Sequence, residues 1–270
     1  MSLSQALSVV GLIRPTGRRG FCPACRLWAA TPVGERRGSE AELAPPALTV
    51  LAFLVVAAFA WSLTIEQSRS MAGMAMGPET LGSFAVSWVV MMAAMMLPSA
   101  LPLVFEFARN SEGRQGWQPA TGVLGLTYLS MWLAFGLICY TVRDALPMSW
   151  LSQGWVGGAA LVLAGLYSLT PIKRASEARC RALCALHGAL PFNLMRSAVV
   201  VGTRYGLNCV ACSAALMVAM VILGMSNLGW IVLVSGMVLV YKLAPAPSMR
   251  VTLLLSGALS GLGLVYALMA

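Results

Sequence analysis

The chain of 270 residues is 59% apolar and only 10% charged, with a mean hydropathy of +0.81 and a net charge of +9. Because soluble domains are typically about 45–50% apolar, this composition excludes a water-soluble globule and indicates an integral membrane protein. The positive charge needs no nucleic-acid partner, since Lys and Arg in loops orient membrane proteins and contact anionic lipid.

The first 46 residues are predicted to form a poorly ordered cytoplasmic arm, because Pro, Gly, Arg and Glu interrupt their apolar stretches. This arm contains the pair Cys22 and Cys25 in the order Cys-Pro-Ala-Cys. A transmembrane domain over residues 47–270 follows. It holds apolar segments long enough to cross a hydrocarbon core of roughly 30 Å. They cover approximately residues 47–65, 81–105, 119–142, 153–172, 206–224, 228–244 and 251–269. The predicted fold is therefore all-α, a polytopic transmembrane helix bundle of about seven spans.

The basic residues predict how this bundle is oriented. Lys and Arg concentrate in cytoplasmic loops, and with the N-terminus inside only Arg69 and Arg143 of the 18 basic residues fall outside. We therefore predict a multi-pass protein of the inner (cytoplasmic) membrane, with the lipid bilayer as its first partner. Residues 173–205 form a large basic cytoplasmic loop on this topology, and Cys209 and Cys212 follow at the start of the fifth span.

Paired cysteines are the first candidates for chemistry. Cys180 and Cys184 are four residues apart and Cys209 and Cys212 three apart, so in a helix each pair places two sulfurs on one face. On the predicted topology both pairs adjoin the reducing cytoplasm, where paired thiols favour metal binding or redox chemistry over structural disulfides. Two pairs near one membrane surface therefore predict a four-sulfur metal site, whereas the plainer interpretation is that these are small core residues.

Methionines are the second candidates, because a thioether is a soft ligand that suits Cu(I) and also functions in an oxidising compartment. Met71, Met74 and Met76 lie in the first outer loop with glycines between them. Further candidate ligands lie within the membrane. Met95 and Met96 belong to the second span, which Pro98 and Pro102 are expected to bend, and Met217 belongs to the fifth span. Adaptable hydrophobic packing is the alternative interpretation for all of them.

Three motifs give the chain a family resemblance. They are VVMMAAMMLPSALP at 89–102, AGLYSLTPIKR at 164–174, which precedes a CxxxC, and GLNCVACSAALMVAMVILGMSNL at 206–228. Together they resemble a domain-of-unknown-function family of predicted metal-binding integral membrane proteins, some of which are labelled copper chaperones. The resemblance covers roughly residues 47–245. Ser213 stands where the family pattern has a further cysteine, and Tyr241 where a glutamate is expected. The resemblance implies metal binding in a membrane.

Three hypotheses for the function follow. The first is a membrane protein that binds a soft transition metal, Cu(I) with zinc as a second candidate, for delivery or homeostasis; its partner would be a metal chaperone or a metalloenzyme. The second is a membrane thiol–disulfide oxidoreductase that uses the CxxC pairs. The third is a non-catalytic assembly subunit. No nucleophile elbow or nucleotide-binding loop indicates another enzyme, and the first and third hypotheses require no catalysis.

Overall fold

The computed structural model describes residues 45–71, 80–147, 153–184, 193–223, 228–243 and 249–269. These ranges contain eight α-helices and no strand, which confirms the all-α prediction. The helices are α1 (Pro45–Met71), α2 (Leu81–Ser111), α3 (Trp117–Ala145), α4 (Gly154–Tyr167), α5 (Pro171–Cys184), α6 (Leu194–Leu223), α7 (Leu228–Leu243) and α8 (Met249–Met269).

Five of the described helices are long and apolar enough to cross a membrane, namely α1, α2, α3, α6 and α8. The pair α4 and α5 meets the same criterion only when taken together, and the two axes diverge by 65° at the short break between them. Helix α7 is apolar but shorter. The structure therefore has the helices of a multi-pass membrane protein, with five spans by length and composition, or six if the bent pair counts as one.

Helices α2 and α6 form the centre of the bundle. Of the most apolar 18 residues, 67% are buried in α2 and 50% in α6, against 17% in α1. Thr80 caps the N-terminus of α2, because its hydroxyl accepts a hydrogen bond from the backbone N–H of Ser83 at 3.3 Å. Helix α3 packs against both central helices, and α1 covers the outer side of α2.

The segment between residues 173 and 205 differs from the predicted loop. Its first part is the amphipathic helix α5, and α6 begins at Leu194, twelve residues before the expected start of that span. Arg196 and Arg204 suggested a loop, but both lie on the exposed face of α6, while Ser197 and Tyr205 lie on the buried face. Cys209 and Cys212 consequently lie in the middle of a long helix rather than at its start.

The bend between α4 and α5 is encoded by the residues that connect them. The hydroxyl of Thr170 lies 3.4 Å from the backbone N–H of Lys173, in the N-cap arrangement, and Pro171 occupies the first helical position, where no N–H is needed. The new direction lets α5 pack against α6. The GLYSLTP motif thereby places the cysteines of α5 beside those of α6.

Candidate functional site

Four cysteines lie on the faces of α5 and α6 that meet. Cys180 and Cys184 are buried on α5, and Cys209 and Cys212 are buried on α6, as the spacing of each pair predicts. The described cysteines carry thiols rather than disulfides. The packing of α5 on α6 thus brings the two predicted pairs into one region of the protein.

Cys209 is surrounded by polar groups from three other helices. The ammonium Nζ of Lys242, at the end of α7, donates to Cys209 Sγ at 2.8 Å and to Ser99 Oγ on α2 at 2.9 Å. The phenol oxygen of Tyr128 on α3 lies 3.1 Å from the same sulfur. These contacts give a sulfur in an apolar interior two polar partners, an ammonium and a phenol.

Cys212 connects the two helices. Its thiol donates to the carbonyl of Cys209 at 3.2 Å and lies 3.5 Å from Ser213 Oγ. It also interacts with Cys180 of α5, which lines the same cavity. Tyr167, the last residue of α4, also contacts this turn of α6, because its hydroxyl donates to the backbone carbonyl of Ala211.

A small cavity of about 30 Å³ lies among these groups. It exceeds the ~10–15 Å³ that one water requires and is far below the several hundred Å³ of a typical organic-ligand pocket, so it is sized for an ion or a water. Its lining comes from α2, α5, α6 and α7. The residues are Ser99, Pro102, Glu177, Cys180, Arg181, Cys184, Tyr205, Cys212 and Lys242.

The carboxylate of Glu177 is already engaged on this cavity. Lys173, which is 3% exposed, places its Nζ 3.2 Å from one carboxylate oxygen, and an Arg181 nitrogen lies 4.0 Å from the other. Lys173 also donates to Ser168 Oγ at 3.4 Å. These pairs allow a strongly charged helix to bury one face, because each buried charge has a partner.

The proline-containing segment of α2 forms the opposite wall. Pro98 and Pro102 lie inside the helix, as expected, and neighbouring carbonyls accept hydrogen bonds from tyrosines. Tyr205 donates to the carbonyl of Ser99 at 3.2 Å, and Tyr128 donates to that of Met96 at 3.5 Å. The two phenols thereby tie α3 and α6 to α2 beside the cysteines.

The predicted methionines fall into two groups. Met95, Met96 and Met217 are at most 1% exposed and belong to the hydrophobic core, and they do not line the cavity. Their packing there is what the alternative interpretation expects. Met74 and Met76, the side chain of Met71, and the arm pair Cys22 and Cys25 lie outside the described residues.

The donor chemistry of the site suits a soft ion of low coordination number. Thiolates suit Cu(I), zinc and iron–sulfur clusters, but structural zinc typically takes four ligands. Among the residues that the structure describes, no group of three or more His, Cys, Asp and Glu side chains is arranged to hold a metal ion. Cys180, Cys184 and Cys212 are the cysteines that line the cavity, and nothing in the described arrangement supports zinc.

Sequence reasoning missed the polar groups that accompany the cysteines. Lys242 was read only as a marker of the cytoplasmic side, and Tyr128, Tyr205 and Glu177 were not singled out. Ser99 appeared only as one residue within the VVMMAAMMLPSALP motif. The sequence did contain one signal for this polar cluster, which is Lys242 in the last turn of an apolar helix. A charge in that position requires a polar partner when it is partly buried.

These features define a polytopic helical membrane protein with a cluster of thiols, phenols and a lysine in its interior. The chain belongs to the PpoB2 family, described as copper chaperone, whose family model matches residues 85–266. That range contains all four cysteines and every residue of the cavity. Searches of curated proteins and of solved structures gave no match.

Proposed function

We propose that this protein binds Cu(I) at the thiols of α5 and α6 and delivers it to a copper-requiring partner in the inner membrane. The observation that carries the proposal is that Cys180 and Cys184 of α5 and Cys212 of α6 line one cavity of ionic size, with Cys209 one turn before Cys212 on α6. The description of the family as copper chaperone supports copper as the metal.

Each group has a part in this proposal. Cys180 and Cys212, which approach each other across the helix interface, are the primary ligands, because bond lengths of about 2.3 Å to sulfur demand close thiols. Cys184 and Cys209 serve as exchange ligands when the ion arrives or leaves. Met71, Met74 and Met76 would collect copper on the outer side, and Met95, Met96 and Met217 would provide weak ligation between the two sides.

The topology in this proposal has seven spans with the N-terminus inside. The five long helices supply five spans, the pair α4 and α5 a sixth, and α7 the seventh, while residues 1–46 form a cytoplasmic arm. The distribution of Lys and Arg supports this orientation. An alkaline phosphatase fusion after Met269 would be active if the C-terminus is outside; an inactive fusion together with a fluorescent cytoplasmic reporter at the same position would refute it.

A Cu(I) competition titration tests the metal proposal. The full chain, purified in detergent under anaerobic reducing conditions, would compete with a chromophoric Cu(I) chelator. We expect the double variant Cys180→Ser/Cys212→Ser to lose affinity by more than roughly a hundredfold, beyond the 10–100-fold typical of changes outside the ligand set. Cys139→Ser is the matched control, because Cys139 lies on α3 away from the cavity. Equal affinities for the wild type and the double variant would refute the assignment.

Thiol–disulfide exchange is the second candidate, and the contact of Cys180 with Cys212 favours it. In that reaction the two thiols lose two protons and two electrons to a substrate disulfide, which leaves as two thiols. Cys212→Ala would then accumulate a mixed disulfide between Cys180 and a small disulfide substrate. Failure to trap this species, when the wild-type protein does bind Cu(I), would leave the copper proposal alone.

A further inference from the structure

Positive charge dominates the surroundings of the cavity. Lys242 and Arg181 line it directly, and Lys173 adds a third cation through its ion pair with Glu177. Glu177 is the single carboxylate in the lining, so three cations face one anion and the side chains carry two net positive charges before any thiol ionises. A cation site with this surplus is unusual, because a metal ion must then enter against repulsion.

Lys242 is the cation held closest to the sulfurs. Its Nζ is fixed by Cys209 Sγ at 2.8 Å and Ser99 Oγ at 2.9 Å, and it lies 5.8 Å from the centre of the Tyr205 ring. These contacts come from α2 and α6, while the lysine itself belongs to α7. Three helices therefore hold the ammonium at the cavity.

Glu177 is not available as a strong ligand. Both of its oxygens are within ion-pair distance of a cation, Lys173 at 3.2 Å and Arg181 at 4.0 Å. Divalent metals such as zinc rely on carboxylate, imidazole or several thiolates to balance their charge. An incoming ion can therefore contact thiols at this site, whereas the carboxylate of Glu177 is already ion-paired with Lys173 and Arg181.

We propose that Lys242 is a selectivity-determining residue that favours a monovalent soft cation over a divalent one at this cavity. The inference rests on the proposed function and adds the charge class of the ion. Repulsion from a fixed ammonium is twice as large for a divalent ion as for a monovalent ion at the same position. Thiols bind soft ions of both charges, and the repulsion from the ammonium weakens the binding of the divalent ion more than that of the monovalent ion.

The test compares Ag⁺, a redox-stable soft monovalent ion, with Cd²⁺, a soft divalent ion. Both are titrated into the full chain in detergent under reducing, thiol-free conditions, and the quantity measured is the ratio of the two dissociation constants. In Lys242→Met we expect Cd²⁺ to gain about tenfold to a hundredfold relative to Ag⁺. Lys242→Arg keeps the charge and should keep the wild-type ratio. A loss of packing alone would weaken both ions and leave the ratio unchanged.

Two further variants complete the design. Arg109→Met removes one cation at the end of α2, where Arg109 pairs with Glu106 at 2.8 Å and does not line the cavity, so the ratio should not change. Glu177→Gln makes the cavity more positive, and we expect it to shift the ratio in the direction opposite to Lys242→Met. This second variant also tests the proposal if Lys242→Met fails to fold.

The outcomes distinguish this inference from the proposed function. If the wild type binds neither Ag⁺ nor Cd²⁺, the thiol site itself is wrong and the selectivity inference fails with it. If the wild type binds Ag⁺ at the cysteines, while Lys242→Met and Glu177→Gln both leave the ratio unchanged, only the selectivity inference is overturned. Opposite shifts in these two variants, with Arg109→Met unchanged, would support it.

Discussion

Replacing Gly202 by alanine tests the helix contact on which the site depends. A Cβ at Gly202 on α6 would lie 2.9 Å from the carbonyl oxygen of Leu124 and 3.1 Å from Cβ of Thr127, both on α3. The oxygen of Leu124 belongs to the backbone and cannot rotate away as a side chain could. Helices α3 and α6 must therefore separate by a few tenths of an ångström. Tyr128 lies one turn beyond Leu124 and Cys209 two turns beyond Gly202, so the separation reaches their 3.1 Å contact.

The expected loss of stability is the balance of two effects. Overpacking a close contact typically costs about 1–3 kcal/mol, whereas Gly→Ala within a helix gains about 0.5–1 kcal/mol. The net destabilisation for Gly202→Ala is then about 0–2.5 kcal/mol, which at about 2–4 °C per kcal/mol corresponds to a fall in Tm of up to roughly 10 °C. Tryptophan fluorescence during heating in detergent would measure it.

Gly257→Ala is the matched control for this experiment. Gly257 lies on the exposed side of α8 with nothing within 4 Å of the position that a Cβ would take. The variant therefore gains helix propensity without a clash, and we expect its Tm to stay at or above the wild-type value. Equal unfolding temperatures for the two variants would refute the close approach of α3 and α6 at Gly202.

Two other substitutions probe neighbouring contacts. Tyr128→Phe removes the phenol oxygen 3.1 Å from Cys209 Sγ, and we expect a loss of about 1–2 kcal/mol in unfolding free energy, measured by thermal denaturation. An unchanged transition would mean that this oxygen and sulfur do not interact. Gly165→Ala places a Cβ 2.9 Å from the carbonyl oxygen of Ser256, so α4 and α8 should separate at a cost of about 1–3 kcal/mol. A Tm equal to that of the wild type would contradict their close packing.

Much of the fold could be predicted from the apolar segments. Those at 47–65, 81–105 and 119–142 lie within α1, α2 and α3, since long apolar stretches have few alternatives in a membrane. The number of spans and their orientation stay predictions. The least accurate region was 173–205, where the density of Lys and Arg suggested a loop. A hydropathy average cannot show that most of these charges lie on exposed helix faces while Lys173 is buried in an ion pair with Glu177.

The candidate site was only partly predictable for a related reason. Spacing placed two sulfurs on one face of each helix, because side chains three or four residues apart are neighbours. It could not show that α5 folds back onto α6, since that depends on the bend after Tyr167. The methionines show a second limit of spacing. Met95 and Met96 have the spacing of ligands and are also buried in the hydrophobic core, and spacing alone does not distinguish ligation from packing.

Lys242 shows how sequence and environment together specify the chemistry of this interior. No Asp or Glu follows Glu177 in the chain, so α6 and α7 contain no carboxylate that could accompany a buried ammonium. The polar partners of Lys242 are instead a thiol and a hydroxyl, those of Cys209 and Ser99. An ammonium among apolar helices requires an anionic or strongly polar partner. Its contact with Cys209 at 2.8 Å supplies one, so removing either member should destabilise the other. The lysine therefore belongs with the cysteines as one unit, because the sulfur of Cys209 is a direct hydrogen-bond partner of its ammonium.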